Sequence, residues 1–340
     1  MGGRVEAAQP SAMAIPPVVV QTARFGWHWQ WQQLMGGLGS ADADGNYTRP
    51  VSDHLQGQVP KRGDLDSRKA DDQPILIVGR SCPWAHRTWL VRRLRGLENT
   101  LQLMIASPDH RGGRWVLKPA WRTCQTLLDV YQLCGAPPSH RATVPVLIDP
   151  INGNQPRILC NDSAPLVEML NQWPSGDDAP DLCPVESHDA IQRWHDLLQP
   201  HVNDGVYRCG FARNQRAFEQ AETALFQALE TVNDHLAQNG NGPWLCGQRL
   251  TLADVRLFPT LIRWETVYAP LFRCDRTPLW QFPHLWEWRR RLFEHPGVRD
   301  TCDAHAWRQD YFGALFPLNP SGIVPSTPDL IKLVTSEVPR

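Results

Sequence analysis

The chain has 340 residues, enough for about two domains with their own cores. Its formal net charge is -1 and charged residues make up only 20%, so no basic excess argues for nucleic acid or for an anionic membrane surface as partner. Nine cysteines fall at 82, 124, 134, 160, 183, 209, 246, 274 and 302, none in a C-x-x-C pair, which argues against a zinc ribbon. Their odd number and long spacings do not suggest a disulfide framework, and a reducing cytoplasm fits best.

Residues 1–24 read as a loose tail. Ile15-Pro16-Pro17-Val18-Val19-Val20 is too short and too proline-broken for a signal h-region or a membrane span, and no run of 18 apolar residues occurs anywhere. Met1-Gly2-Gly3 lacks the Ser or Thr at position 6 that myristoylation requires. Trp27, Trp29 and Trp31 alternate, which places three indoles on one strand face; they either pin an extension to the core or form a stacking platform for an aromatic ligand. Residues 36–73, rich in Gly, Asp, Ser, Lys and Arg, read as a long loop.

Pro74-Ile75-Leu76-Ile77-Val78-Gly79 is a short apolar, β-branched run and reads as a buried strand. Thr88 to Leu94 repeats apolar residues at helical spacing. Cys82-Pro83 between them therefore sits at a strand-to-helix junction, with proline in the first turn, where its missing N–H costs nothing. A thiol at a helix N-terminus faces free N–H groups and the positive end of the helix dipole, which favour thiolate, the nucleophilic form. His86 and Arg87, one turn on, are candidates to add positive charge. No second cysteine follows within four residues, so this is a one-thiol arrangement that needs an external thiol to complete a redox cycle.

Leu101 to Ala106 reads as a second strand, giving a βαβ unit with a parallel pair. Residues 107–122, including Trp115, read as a loop, and Thr126 to Leu133 as a short helix. In Ala142-Thr143-Val144-Pro145-Val146-Leu147-Ile148 the proline cannot donate to a sheet, so it fits an edge or a cis turn that leaves the Val144 backbone free. A hairpin turn is expected around Asn152-Gly153, followed by the strand Ile158-Leu159-Cys160. Asp162 and Ser163 open a helix over 164–172, where they either cap it or hold a ligand at its end.

Residues 173–186 read as an interdomain linker. From about 187 the pattern is helical, with a long amphipathic helix over 217–236, a capping box Thr251-Leu252-Ala253-Asp254 read as structural, and a helix over 286–293. Residues 313–340 read as an extended tail. His195 and His201 are six apart, off helical register, and His86 is solitary, so no metal site is read.

A small α/β region with Cys-Pro at its first helix, then Val-Pro, then Asp-Ser, then an all-helical region, resembles the glutathione transferase fold: a thioredoxin-like N-terminal domain and an all-α C-terminal domain. Cys82-Pro-Trp-Ala-His-Arg resembles the active-site motif of the Xi class, the glutathionyl-hydroquinone reductases. Asn203-Asp-Gly-Val-Tyr207-Arg-Cys-Gly-Phe211 and Tyr311-Phe312 with Asn319-Pro-Ser-Gly-Ile-Val-Pro325 are similar to further segments of that class. Leu245 to Phe258 is similar to a segment shared more widely among glutathione transferases. The resemblance covers roughly 74–326. It implies four parts: an extension and loop over 1–73, a glutathione-binding domain over 74–173, a helical substrate domain over 187–312, and a tail over 313–340.

The resemblance also implies roles. Cys82 is the nucleophile, with glutathione as co-substrate and no metal. Trp115 lies over the glutathione, Val144 offers backbone hydrogen bonds beside a cis Pro145, and Asp162 and Ser163 bind the γ-glutamyl end. Tyr207 and Tyr311 contact a hydroquinone ring. The family usually has Glu-Ser where Asp162-Ser163 stands, and two tyrosines where Tyr311-Phe312 stands; its loop before the first strand is usually longer. These departures bear on substrate choice more than on the thiol. The implied partners are glutathione, aromatic glutathione conjugates and a second copy of the chain, with neither nucleic acid nor membrane. The implied reaction is reduction of glutathionyl-hydroquinones through a Cys82–glutathione mixed disulfide. Two readings compete with it: a glutaredoxin-like thiol transferase or dehydroascorbate reductase, and a non-catalytic binding protein on the same fold. A conjugating transferase is disfavoured, because that chemistry uses a hydroxyl to stabilise the thiolate of glutathione.

Overall fold

The computed structural model describes residues 15–50, 57–109, 113–151, 155–238 and 240–336. The first element is a helix, α1 (Pro17–Leu38), with proline in its first turn. The Trp27–Trp31 run is therefore helical, not a strand. Residues two apart then diverge by ~200°, so Trp31 turns toward the body while Trp29 faces solvent. The stretch expected as loop carries a two-residue hairpin, β1 (Ser40–Ala41) with β2 (Tyr47–Thr48), and a short helix α2 (Arg62–Asp66).

A six-stranded sheet follows: β3 (Ile75–Gly79), β4 (Gln102–Asp109), β5 (Arg114–Trp121), β6 (Cys124–Thr126), β7 (Val146–Asp149) and β8 (Arg157–Cys160), in the order β6-β5-β4-β3-β7-β8. β3 and β4 are parallel, with Val78 opposite Ile105, and every other pair is antiparallel. β3 is buried at all five residues, as a strand covered on both faces must be, which is why it reads as an unbroken apolar run. Residues 107–109 and 114–121, read as loop, are strand. Ser107, Lys118 and Pro119 are exposed, and pairing of Asp109 with Arg114 and of Ala106 with Leu117 joins the two strands. The turn expected at Asn152-Gly153 lies outside the described residues.

Around the sheet pack α3 (Pro83–Leu94), α4 (Leu127–Leu133) and α5 (Ser163–Asn171). The remaining helices are α6 (His188–Leu198), α7 (Gly205–Phe211), α8 (Gln215–Ala237), α9 (Leu252–Leu261), α10 (Ala269–Phe272), α11 (Pro283–Glu294), α12 (Ala304–Ala314) and α13 (Leu330–Thr335). Single π-helical turns link α6 to α7, over Gln199–Asn203, and α9 to α10, over Trp264–Tyr268. The tail is thus partly helical: Val334 of α13 is buried, and Trp286 Nε1 donates to the Ser336 carbonyl.

The capping box at α9 anchors the helical half. Buried Asp254 accepts from the Leu245 and Thr251 backbone N–H groups at 3.0 Å each and from Trp288 Nε1 at 2.8 Å. Those donors satisfy a carboxylate that burial would otherwise make costly. The two halves are joined by guanidinium groups. Arg87 of α3 donates to the Arg256 carbonyl and to Gln199, and Arg256 pairs with Glu168 of α5 at 2.7 Å.

Candidate active site

Cys82 is the N-cap residue of α3, with extended backbone and Pro83 behind it. The thiol is half-buried and lies 3.6 Å from the Val144 carbonyl oxygen. The Val144–Pro145 peptide is cis. The turn leading into it is held by Tyr131, whose hydroxyl donates to the Thr143 carbonyl at 2.8 Å and whose ring stacks on His140 at 5.3 Å.

Burial pushes the Cys82 thiol up. The backbone N–H groups of Ala85 and Trp84 and the charges of Arg263 and Arg49 pull it down. Burial is the largest of these influences, so the helix N-terminus does not by itself make a thiolate in the free protein. His86 adds no positive charge either. It is 1% exposed, and burial together with Arg263 holds it well below the usual imidazole range. Arg263 donates to His86 Nδ1 at 2.9 Å, while His86 Nε2 faces the Thr301 hydroxyl at 2.7 Å, whose own proton goes to the Val298 carbonyl. That pattern assigns a neutral imidazole protonated at Nε2. The same Arg263 donates to the carbonyls of Ser81 and Arg80, the two residues before the thiol. Arg87 is pulled down to about 9, by burial and then by the charge of Arg49.

Cys82 opens into a cleft of about 620 Å³ between the sheet and the helical half. Trp115, Val144, Asp162, Ser163 and Tyr207 line it with Cys82, so six of the seven residues singled out from sequence share one cavity. Trp115 packs closely against Gly79: a Cβ at that glycine would come within 2.5 Å of the indole and 3.2 Å of Val144. Asp162 is the N-cap of α5 and accepts from the Ala164 N–H at 3.2 Å, with Ser163 buried beside it. Tyr311 does not line the cleft. It stands behind Tyr207, with the two hydroxyls 2.5 Å apart. Phe312, the departure from the family pattern, is buried with Arg308 lying 5.8 Å over its ring.

Three contributors escaped the sequence. Tyr268, in the π-helical turn before α10, brings a third hydroxyl 3.4 Å from that of Tyr311. Trp84 forms the cleft wall, stacked on Tyr207 at 6.1 Å between centroids. Arg49, from the stretch read as loop, lies 3.8 Å over the Trp84 ring, pairs with Asp204 at 2.9 Å, and faces Arg87 on the same indole. Trp84 was within the motif, and its neighbourhood to the thiol was the available signal. Nothing local marks Arg49 or Tyr268. His195 lines the cleft while His201 lines a separate cavity, and among the described residues no three His, Cys, Asp or Glu side chains converge as metal ligands would.

A thiol at the end of a parallel βαβ unit, beside a cis-proline turn and facing a helical wall, is the layout of a thioredoxin-like domain joined to an all-helical one. Residues 81–173 match the family model of the glutathione S-transferase N-terminal domain, and residues 215–291 that of the C-terminal domain. The chain is 33% identical over 280 residues to glutathionyl-hydroquinone reductase PcpF of Sphingobium chlorophenolicum, covering 78% of this chain and 87% of that protein. It is 32% identical over 312 residues to glutathionyl-hydroquinone reductase YqjG of Escherichia coli, covering 88% and 92%. Among solved structures, glutathione-bound YqjG superposes with a TM-score of 0.69 at 31% identity, covering 76% of this chain and 86% of that one. The Xi glutathione S-transferase of Phanerochaete chrysosporium superposes with a TM-score of 0.74 at 30% identity, covering 85% and 95%. The chain belongs to the glutathione transferase family, within its Xi-class group of glutathionyl-hydroquinone reductases.

Proposed function

We propose that this protein reduces glutathionyl-hydroquinones to hydroquinones with glutathione as reductant, through Cys82. The observation that carries the reading is the placing of the thiol between a peptide-binding edge and an aromatic wall. On one side stands the Val144 turn, 3.6 Å from Sγ; on the other, Trp84 stacks on Tyr207. Glutathione lies along the Val144 backbone, with Trp115 over it and its γ-glutamyl end at Asp162 and Ser163, beside the positive end of α5.

Cys82, held as a thiol in the free protein by burial, gives up its proton and attacks the sulfur of the conjugate. The carbon–sulfur bond breaks, its electron pair goes to the ring carbon, and that carbon takes a proton and leaves as hydroquinone. Cys82 is left in a mixed disulfide with glutathione. A second glutathione thiolate attacks the glutathionyl sulfur and releases oxidised glutathione, returning Cys82 to thiolate. Tyr207 is the hydrogen-bonding group at the ring, with Tyr311 and Tyr268 behind it. Burial and the neighbouring tyrosines hold Tyr207 and Tyr311 well above the usual phenol range, so both remain protonated donors.

A homodimer in a reducing cytoplasm belongs to the same reading; the nine unpaired cysteines are compatible with such a compartment. The test is steady-state turnover of glutathionyl-menadiol by the pure protein with glutathione, beside Cys82→Ala. Turnover that vanishes in the variant is expected. Activity that survives Cys82→Ala would sink the thiol mechanism, and activity confined to small mixed disulfides would favour a glutaredoxin-like thiol transferase.

A further inference from the structure

Arg263 and Arg289 are both 0% exposed. Arg289 has an acid beside it, Glu265 at 2.7 Å. Arg263 has none among the described residues. Besides its bonds to His86 and to the Arg80 and Ser81 carbonyls, it donates to the Pro259 carbonyl at 2.9 Å and lies 4.2 Å over the Trp307 ring. Those partners satisfy its N–H groups but carry no net negative charge, and the C-terminal end of α9 offers partial charge at most. Asp300, next to Thr301, and Asp303, at the start of the helix that carries Trp307, pair with Arg93 and Arg80 instead. A buried charge with no opposite charge beside it is costly to keep.

The titratable groups that feel this charge are His86, Cys82, Cys302, Tyr268 and Tyr311. His86 is a neutral imidazole. Burial pushes Cys302 up to about 12 and holds Tyr268 and Tyr311 above the usual phenol range. Of the five, Cys82 alone lines the cleft. It is also one peptide unit from the guanidinium, because the Ser81 carbonyl that Arg263 Nε holds at 3.2 Å belongs to the peptide bond into Cys82. Other groups face the thiol as well. Tyr207 and Tyr268 do so as neutral phenols, and Arg87 and Arg49 as cations. Arg49 is 41% exposed and paired with Asp204, so water and that carboxylate screen it.

We propose that Arg263 is the resident counter-charge of the Cys82 sulfur, stabilising the negative charge that reaches Sγ when the mixed disulfide with glutathione breaks. In that step a glutathione thiolate attacks the glutathionyl sulfur. A new S–S bond forms, the old one breaks, and its electron pair goes to Cys82 Sγ. A sulfur that bears the charge more easily leaves faster. The bonds of Arg263 go to backbone carbonyls and to His86, so it acts through Cys82 as a positioning residue and not as a catalytic one. The inference rests on the Cys82 chemistry proposed above, but not on which aromatic conjugate supplies the glutathionyl group.

The test compares Arg263→Gln and Arg263→Lys with wild type in the full chain, with circular dichroism as the check on folding. Oxidised glutathione converts Cys82 to the mixed disulfide and leaves one glutathione, so no hydroquinone is needed. Release by added glutathione is followed by mass spectrometry, and the pH midpoint of iodoacetamide alkylation is read at the Cys82 peptide of the reduced protein. Arg263→Gln should raise that midpoint by ~1 unit and slow release ~3-fold. Arg263→Lys keeps the charge without the four hydrogen bonds and should stay near wild type in both. Equal behaviour of the glutamine and lysine variants would make Arg263 a structural brace only and overturns the proposal. Where Arg263→Gln does not fold, Cys302→Asp beside its neutral control Cys302→Asn carries the test. The carboxylate neutralises Arg263 with its hydrogen bonds in place and should raise the midpoint; equal midpoints in that pair also overturn the proposal. Wild-type protein that shows these effects without turning over glutathionyl-menadiol would defeat the hydroquinone reading and support this one.

Discussion

Arg263 donates one hydrogen bond to His86 Nδ1 at 2.9 Å and two more to the carbonyls of Arg80 and Ser81, so one fully buried guanidinium from the helical half fixes both a neutral imidazole and the chain entering Cys82. The imidazole is held well below its ordinary range by burial and by that arginine. Below about pH 6.5 the unfolded chain therefore binds a proton that folded His86 refuses, and stability falls as pH drops, with a slope approaching ~1.4 kcal/mol per pH unit. The thermal midpoint measured from neutral to mildly acidic pH should fall for the wild type. His86→Asn should be less stable at neutral pH but show a flatter profile. An unchanged slope in the variant would assign the acid sensitivity to other histidines.

The paired hydroxyls of Tyr207 and Tyr311 act as one unit. Tyr207→Phe is expected to lower kcat for glutathionyl-menadiol by ~100-fold, and Tyr311→Phe by less, since Tyr311 reaches the cleft only through Tyr207. The double variant should fall short of the product of the two, because the second loss removes a partner already without its contact. Kinetics of the three variants decide this, and full multiplicativity would mean that the two hydroxyls work separately.

Gly79 is needed for the floor under Trp115. A methyl group there would meet the indole at 2.5 Å, too close for any real Cβ contact, so the ring must lift away. Gly79→Ala should therefore raise the KM for glutathione several-fold with a smaller change in the pH dependence of Cys82 alkylation. Trp115→Ala, which clears the space, should also weaken glutathione binding but abolish the extra effect of the added methyl. Equal KM values in wild type and Gly79→Ala would show that the indole yields without consequence.

The thiol itself titrates high in the free protein, since burial outweighs the helix N–H groups and the arginines. Iodoacetamide alkylation of Cys82 should then still be rising with pH where an ordinary cysteine is already half-ionised. Arg49→Gln removes one of the charges that favour thiolate and should slow alkylation further at mildly alkaline pH. Fast alkylation at neutral pH, unaffected by Arg49→Gln, would overturn this assignment of causes.

Much of this protein is legible in its sequence because the relevant physics is local. An apolar β-branched run, Cys-Pro at a helix start, a proline within a strand-like stretch and an Asp-Ser cap each declare their own geometry. The order of those signals along the chain carried the family resemblance that implied the fold, and Cys82, Val144, Asp162 and Ser163 lie within them, whereas Trp115 and Tyr207 came from the resemblance alone. The same local logic failed where tertiary contacts decide. Alternating tryptophans predict a strand only if a partner strand exists, and α1 has none. Residues 107–122 look like a loop until β4 is beside them. The charge of His86 depends on burial and on Arg263, 177 residues away, and Arg49 at the cleft wall and Tyr268 behind Tyr207 come from stretches far from Cys82 in sequence. Burial is a property of the assembled core, so the ionisation of Cys82, which the helix N-terminus alone would favour, was set by the tertiary structure.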